Sequence, residues 1–128
     1  MLARATFIRM DAGAVRSLCL AFPEAVEELP FGPETNVFKV GGKIFAIVAL
    51  GAEPPLRISL KCDPELVPAL RGAYPAINPG YHLNKRHWNT VTLDGSLSAE
   101  LVHDLVEDSY DLVVSGLPKA ARERLGPR

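Results

Sequence analysis

The sequence contains few of the residues that mark a disulfide framework, a zinc site or a membrane segment. It has two cysteines, Cys19 and Cys62, and neither lies in a CxxC or CxxH spacing. Two isolated thiols exclude a disulfide framework and form no zinc motif, so we expect a cytoplasmic protein without a structural metal. The first ten residues lack the apolar run of a secretory signal, and no stretch approaches bilayer length, so we expect no membrane partner.

The sequence also has no excess of charge of one sign. Lysine and arginine number 14 against 15 acidic residues, which leaves a formal net charge of -1. Such a chain has no overall attraction to nucleic acid or to an anionic membrane, so any basic surface must be local. The sequence contains no P-loop, GxGxxG fingerprint or GxSxG elbow. We therefore expect a protein that is not an enzyme and that carries no cofactor.

The chain does contain enough apolar residues for one domain. Hydrophobic residues make up 48% of its 128 residues. A chain of this length buries roughly two-thirds of the surface that it exposes when unfolded. We expect a single domain over residues 10–128, with residues 1–9 as an N-terminal extension ahead of Met10.

The first half of the chain predicts one helix and three strands. Asp11 can cap a helix whose apolar stripe starts at Val15 and whose end is set by Pro23. The run NVFKVGGKIFAIVAL predicts two strands around a glycine pair, because glycines tolerate the positive φ of a tight hairpin turn. Residues 56–61 alternate strictly between apolar and polar, as in a half-buried antiparallel strand.

The second half predicts a short helix, two strands and a long helix. Asp63 can cap the short helix, Gly72 can end it, and Pro68 is acceptable there if it falls in the first turn. Residues 81–83 and 88–93 are predicted strands joined by a connection at 84–87, and residues 98–116 form the long helix, followed by a short terminal helix at 118–125. The predicted fold is α+β: a two-layer sandwich with helices on one face of an antiparallel sheet, in the order α-β-β-β-α-β-β-α.

One core should lie between the helices and one face of the sheet, because each helix has a single apolar stripe. The residues that we expect to meet there are Val15, Leu18, Phe38, Ile58, Leu60, Val91, Leu101, Leu105 and Leu112.

The opposite face of the sheet should be basic with one aromatic residue. If Ile58 and Val91 point at the helices, strand alternation turns a second set away from them: Arg57, Ser59, Lys61, Trp88, Thr90 and Thr92, joined by Lys39 and His82. Cations neutralise phosphates and tryptophan offers a stacking surface, so this composition suits nucleic acid. The same residues also occur as ordinary solvent-side residues of open antiparallel sheets, with tryptophan packed over their stems.

The segment PGYHLNKRHWNTV, residues 79–91, concentrates the remaining chemistry. His82 and His87 have the side chain that ligates zinc and titrates near neutral pH, but no carboxylate lies in the segment to orient them. We therefore interpret them as hydrogen-bonding turn residues and expect no metal site. Lys85 and Arg86 form either a solvated pair or the tip of a protruding wing that reaches phosphate.

Four stretches, "PFG…NVFKVGGKIFA", "ISLKCDPE", "YPAINPGYHLNKRHWNTVTLDG" and "SYDLVVSGLPK", together resemble the MmcQ/YjbR family of small bacterial proteins. The resemblance covers residues 10 to about 125 and is most specific over residues 80–91. It implies a CyaY-like fold with helices packed on an antiparallel sheet, in agreement with the order given above.

The resemblance also implies DNA binding through a double-wing arrangement. Carried over to this chain, it places contacts at Lys85, Arg86, His87 and Trp88. The strand phasing adds three supporting cations, which are Lys39, Arg57 and Lys61. We therefore expect weak, salt-dependent DNA binding through the open sheet face and the hairpin tip. The alternative is a protein-interaction module that resembles secretion chaperones and presents its sheet or its helices to a partner chain.

Overall fold

The structure is a computed structural model in which residues 10–127 are described. The expected extension at residues 1–9 lies outside the described residues. The elements in chain order are helix α1 (Ala12–Leu20), strands β1 (Val26–Glu28), β2 (Asn36–Val40), β3 (Lys43–Val48) and β4 (Leu56–Lys61), helix α2 (Val67–Ala73), strands β5 (Ile77–Pro79) and β6 (Trp88–Leu93), and helices α3 (Ala99–Ser115) and α4 (Lys119–Leu125).

The strands form one antiparallel sheet in the order β1-β2-β3-β4-β6-β5. The predicted α+β class is therefore confirmed. The predicted order lacked the edge strand β1, which has three residues and pairs with β2 through Val26 opposite Lys39. A strand this short, followed closely by Pro30, has too little alternation to be recognised in the sequence.

The turn between β2 and β3 is the glycine hairpin that the sequence predicts. Gly41 and Gly42 have φ values of 58° and 81°, which only glycine adopts readily. A Cβ atom at Gly41 would lie 2.7 Å from a methyl carbon of Leu117. This turn therefore needs glycine for its backbone conformation, and a larger residue at position 41 would also displace the Leu117 side chain.

The helix ends follow the sequence at α1 and α3 but not at α2. The Asp11 and Ser98 side chains accept hydrogen bonds from Ala14 N (2.8 Å) and Leu101 N (3.1 Å) as N-caps. The Asp63 carboxylate instead accepts from Glu65 N in a separate turn, and α2 begins only at Val67, with a proline in its first turn. Proline is tolerated there because its missing N–H would have no partner within the helix. None of the helices in residues 10–127 is long and apolar enough to cross a bilayer.

All four helices contribute apolar side chains to a single core on one face of the sheet. The fully buried members of the predicted core are Val15, Phe38, Ile58, Leu60 and Val91. Leu18, Leu101, Leu105 and Leu112 are only half-buried. On α3 the buried residues that face the sheet are Val102, Val106, Ser109, Tyr110 and Val113, four of which belong to the apolar stripe that the sequence predicts. The α3 leucines thus lie on the flanks of the helix.

Two hydroxyl groups on α3 tie the helix to the rest of the core. Tyr110 packs against the rings of Phe22 and Phe45, and its hydroxyl donates to the carbonyl of Pro23 at 2.7 Å. The Ser109 hydroxyl donates to the carbonyl of Phe45 at 2.6 Å and accepts from the backbone N–H of Lys61 at 2.9 Å. Both groups are buried and satisfied, so they fix the position of α3 over β3 and β4.

Candidate functional site on the open sheet face

Strand register assigns the residues of β4 and β6 to two faces. Ile58 opposite Val91 belongs to the helix-covered core, so the neighbouring pairs point away from the helices. These pairs are Arg57 with Thr92, Ser59 with Thr90, and Lys61 with Trp88. The face that they form, which we call the open face, carries the strand residues that the sequence analysis placed on it.

A short hydrogen-bond chain occupies the centre of the open face. The hydroxyl oxygens of Ser59 and Thr90 lie 2.9 Å apart, and Thr90 Oγ1 accepts the backbone N–H of Tyr81 at 3.0 Å. The last bond draws the chain after β5 back across the sheet. Ser59 and Thr90 are each 8% exposed, so their hydroxyl groups are largely used within the protein.

The segment after β5 is a folded loop, residues 80–87, and the predicted strand at 81–83 is wrong. The ladder continues only to Gly80, whose N–H donates to the carbonyl of Trp88 at 2.9 Å. A Cβ atom on Gly80 would lie 2.8 Å from Cβ of Trp88. His82 then adopts a positive φ of 57°, which is incompatible with an extended strand. The strand signal of the sequence belongs to residues 77–79 instead.

The 80–87 loop is held in shape by hydrogen bonds between its own residues. The Asn84 carboxamide oxygen accepts the N–H groups of Arg86 at 2.9 Å and His87 at 3.2 Å. The Lys85 ammonium donates to the Gly80 carbonyl at 2.7 Å, so its charge is directed into the loop. Arg86 remains exposed to solvent.

Arg71 of α2 fastens this loop from the other side, and the sequence analysis missed it. Its guanidinium donates to Asn89 Oδ1 at 2.8 Å, to the Trp88 carbonyl at 3.2 Å and to the Lys85 carbonyl. A guanidinium with several donors in a fixed plane suits such a multiple contact. Nothing in the sequence pattern distinguishes it from an ordinary helix-end cation, because its partners lie 14 to 18 residues away.

One groove, which we call the aromatic groove, lies beside the 80–87 loop on the open face. It has a volume of about 790 Å³. The side chains of Phe31 and Tyr81 are 65% and 72% exposed at its sides, and the Tyr81 and His82 rings lie 4.0 Å apart between centroids. Arg57 is the cation in its lining. The full lining is Phe31, Thr35, Ile47, Arg57, Ser59, Asn78, Pro79, Tyr81, His82, Leu83, Thr90 and Thr92.

A second groove, the lysine groove, lies at the end of the sheet next to the glycine turn. It has a volume of about 460 Å³ and is lined by Lys39, Gly42, Lys43, Ile44, Lys61, Trp88, Leu112, Val113 and Gly116. Lys39 forms an ion pair with Glu28 at 2.9 Å, and Trp88 is half-buried. The sequence analysis missed Lys43, whose only signal was its position directly after the glycine turn.

The predicted site residues therefore fall into three places. Lys39, Lys61 and Trp88 come together in the lysine groove, whereas Arg57 and His82 line the aromatic groove. Lys85, Arg86 and His87 lie in the 80–87 loop and line neither groove. The carbonyl of His87 accepts Cys62 N at 2.7 Å, so this residue extends the pairing of β4 with β6.

The acidic residues of α3 lie in the helix layer, and two of them, Asp108 and Asp111, line a pocket together with Lys61. α3 carries no lysine or arginine, and its acidic residues are Glu100, Asp104, Glu107, Asp108 and Asp111. Partial burial raises the pKa of Asp108, and the neighbouring carboxylates of Asp104, Asp111 and Glu107 raise it further. The net charge of -1 thus conceals two regions of opposite sign.

Burial makes both cysteine thiols poor nucleophiles. Burial raises the pKa of Cys19 to about 12, with a further contribution from the charge of Glu27. Burial also raises the pKa of Cys62, and the carboxylates of Asp63 and Asp108 add to it. Both thiols are therefore protonated at neutral pH, and a protonated thiol is a poor nucleophile.

The histidines of the 79–91 segment are not part of a ligand cluster. Within residues 10–127, the potential ligand atoms that lie within 4.8 Å of one another belong to His103, Asp104 and Glu107. These residues are on the solvent side of α3, where carboxylates commonly occur without an ion. We assign no metal to them.

A six-stranded antiparallel sheet with helices on one face and a basic, aromatic second face defines a small α+β sandwich. The family profile named YjbR matches residues 20–112, and the chain belongs to this family. It is 43% identical over 112 residues to the uncharacterized protein YbdF of Escherichia coli O157:H7, covering 88% of this chain and 91% of that protein. It is 38% identical over 116 residues to the uncharacterized protein YjbR of Escherichia coli K12, covering 91% and 98%.

Solved structures of relatives have the same fold. The crystal structure of Deinococcus radiodurans protein DR2400, which has a DUF419 domain, is 46% identical with a TM-score of 0.86 and covers 94% of this chain and 91% of that one. A crystal structure of a Pseudomonas syringae protein is 36% identical with a TM-score of 0.61 and covers 70% and 86%. The predicted membership of the MmcQ/YjbR family is thus confirmed.

Proposed function

We propose that this protein binds nucleic acid through the open face, and that it prefers single strands to duplexes. The observation that carries the proposal is the lysine groove, whose lining includes three lysines and the only tryptophan of the chain. Cations that track a phosphate backbone next to an aromatic platform are the combination that single-strand-binding surfaces use.

The cations of the open face supply the attraction to phosphate. Lys43 and Arg57 are exposed and Lys61 is half-buried, so their charges are available at the two grooves. The ion pair of Lys39 with Glu28 is at the surface, where such pairs contribute little and exchange readily. Four phosphate contacts on a single strand give a log-log salt dependence with a slope of about -3.

The shape of the open face favours unpaired bases. Trp88, Tyr81 and Phe31 offer ring surfaces that single-stranded bases can stack on, and each stacked base contributes about 1 to 3 kcal/mol. A duplex needs a projecting helix or hairpin to enter a groove. Arg71 of α2 donates to the carbonyls of Lys85 and Trp88 and so ties the 80–87 loop to α2, and we infer that this loop does not enter a duplex groove.

A second candidate function is binding of a protein partner at the β1 edge. Val26 of β1 and Leu29, which follows this strand, are exposed, and β1 is an outer strand of the sheet. An outer strand with apolar neighbours can accept an added strand from another chain. This candidate keeps the alternative of a module that resembles secretion chaperones.

A titration with oligonucleotides distinguishes the two candidate functions, because only the first predicts binding. We expect oligothymidylate of about 15 nucleotides, a length within the range that such surfaces occupy, to bind more tightly than a duplex of equal length. Because Trp88 is the only tryptophan, base stacking on it should quench the intrinsic tryptophan fluorescence directly. The absence of binding at about 50 mM salt and high micromolar protein would contradict the proposal and leave the protein-partner candidate.

Charge variants test the location of the site. We expect the double variant Lys43→Gln/Lys61→Gln to reduce the magnitude of the salt slope by about 1.4, since each single-strand phosphate contact contributes about 0.7. The matched control is Lys119→Gln/Arg122→Gln, which removes two exposed cations from α4 in the helix layer. Equal losses in both variants would indicate general charge attraction and not a site on the open face.

A further inference from the structure

The helix layer contains a pocket that the proposed function does not use. This α2–α3 pocket lies between α2, α3 and the helix-facing side of β4 and β6, and it has a volume of about 360 Å³. Small-molecule sites in proteins occupy about 300 to 1,000 Å³. Its lining is Leu60, Lys61, Cys62, Asp63, Leu66, Leu70, Ile77, Asn89, Val91, Leu105, Asp108, Asp111, Leu112 and Ser115.

The inner surface of the α2–α3 pocket is apolar. Leu60, Ile77 and Val91 are buried strand residues at its floor. Leu105 and Leu112 form its α3 wall and are half-buried. Their partial exposure follows from the pocket, because they line it and do not interdigitate with the sheet. An apolar ligand body would bury them and gain about 25 cal/mol for each Å² of apolar surface removed from water.

Acidic groups surround the mouth of the pocket. Asp63 is half-buried, and Asp108 and Asp111 are exposed on α3. The raised pKa of Asp108 has the neighbouring carboxylates among its causes, so negative charges repel one another at this rim. Lys61 is the cation in the lining, but its strand position pairs with Trp88 and it also lines the lysine groove.

The polar groups of the floor already have partners within the protein. The Asn89 side-chain oxygen accepts from Arg71 Nε at 2.8 Å, and the Cys62 thiol lies 3.5 Å from the carbonyl of Asp63. A ligand in this pocket would contact apolar side chains at the floor and carboxylates at the mouth. The pocket therefore favours a ligand with an apolar body and a charged end. A negative head group would be repelled by the rim, and a neutral one would gain no ion pair there.

We propose that the α2–α3 pocket binds a small amphiphilic amine, with its apolar body against the leucines and its ammonium group beside Asp108 and Asp111. This site shares no lining residue with the aromatic groove, and it shares Lys61 and Leu112 with the lysine groove. The ligand class is defined by a protonated amine on an apolar body that fills a pocket of about 360 Å³.

Three probes with one shared body test the proposal. They are 4-phenylbutylamine, 4-phenylbutanol and 4-phenylbutyrate, which carry positive, neutral and negative head groups at neutral pH. We expect the amine to bind most tightly and the carboxylate least, with backbone amide NMR shifts concentrated in α2, α3 and the start of β6. Equal affinity for the amine and the alcohol, no binding of the amine, or shifts located elsewhere would overturn the proposal.

One charge variant and a matched control identify the rim. Asp108→Asn should weaken amine binding by about two- to fivefold, the range expected for an exposed ion pair, and leave the alcohol unchanged. Glu100→Gln removes one negative charge from the first turn of the same helix, outside the pocket lining, and should leave both affinities unchanged. Amine binding that is unaffected by Asp108→Asn would refute the role of the rim.

Discussion

The two faces of the central sheet are made by the same strands but are covered in different ways. Ile58 and Ser59 are neighbours on β4, and both are nearly inaccessible, at 1% and 8% exposure. Ile58 is covered by the apolar stripes of the helices, whereas Ser59 lies in the hydrogen-bond chain under the 80–87 loop. The side chains of one face are therefore buried by apolar packing, and those at the centre of the other face are buried by hydrogen bonding to one another and to the loop.

This difference separates stability from binding. Most helix-face side chains of the strands are packed in the core, and Leu60, Ile77 and Val91 also form the floor of the α2–α3 pocket. The open face carries the aromatic groove, and the lysine groove at the end of the sheet combines open-face residues with residues of α3. The four predictions below test this separation.

The largest effect should come from truncating equivalent residues on the two faces. Ile58→Ala removes buried methyl and methylene groups from the closed core and should lower the free energy of unfolding by about 2 to 5 kcal/mol. Ile47→Ala, in the half-buried lining of the aromatic groove, should cost about 1 kcal/mol or less, because fewer contacts are lost. Urea denaturation measures both, and similar losses would show that the open face is also core.

A smaller effect should follow from releasing the 80–87 loop. Arg71→Lys removes the planar set of donors that reaches the Trp88 carbonyl and Asn89 Oδ1, and should cost about 1 to 3 kcal/mol. The amide of Gly80 should then exchange faster with solvent, because the loop that covers its bond to Trp88 is loosened. Arg86→Lys changes an exposed position in the same loop and is the control. If both variants lower the free energy of unfolding equally, the contacts of Arg71 do not hold the loop.

A still smaller effect should come from the centre of the open face. Ser59→Ala removes the hydroxyl bond to Thr90 and should cost about 1 kcal/mol. A double-mutant cycle with Thr90→Ala isolates the coupling between the two hydroxyls, and we expect it to be positive. Additive losses would show that the two hydroxyls do not act together.

The smallest effect should be the pH-dependent penalty of Asp108 in the helix layer. Its pKa is raised in the folded state above the ordinary 3.8, so the folded protein retains this proton more readily than the unfolded chain. The charged form therefore destabilises the fold, and the penalty appears as pH rises from the ordinary value through the raised one. Asp108→Asn should increase stability at neutral pH by about 0.2 to 0.5 kcal/mol for each like-charge helix pair that it removes.

The pH profile checks the sign of that prediction. The gain from Asp108→Asn should vanish at about pH 3, where both the folded and the unfolded carboxyl groups are protonated. Glu100→Gln provides the comparison in the same helix. A gain that persists unchanged at low pH would indicate a cause other than the charge of Asp108.

Much of the fold was predictable because its signals are local. The caps Asp11 and Ser98 and the Gly41 turn each depend on a few adjacent residues, and the structure contains all three. The missed features depend on distant partners. Asp63 was predicted to cap a helix, but its turn precedes α2, and the stripe of α3 that faces the sheet is set by packing against Phe45 and Pro23.

The candidate site was predictable only where it lies on strands. Alternation along β4 and β6 placed Arg57, Lys61 and Trp88 on the open face, because side-chain direction in a strand follows from position alone. Tyr81 and Phe31 were missed. They lie in loops, and the course of the loop at Tyr81 depends on its bond to Thr90, nine residues away.

The buried hydroxyl of Ser109 takes the place of one backbone hydrogen bond between β3 and β4. Lys61 N and Phe45 O lie next to the paired residues Leu60 and Ala46, yet each bonds to this hydroxyl and not to the other. The two strands are thus joined at this end through a side chain of α3. The separation of β3 and β4 beside the lysine groove therefore depends on the position of a helix on the other face of the sheet.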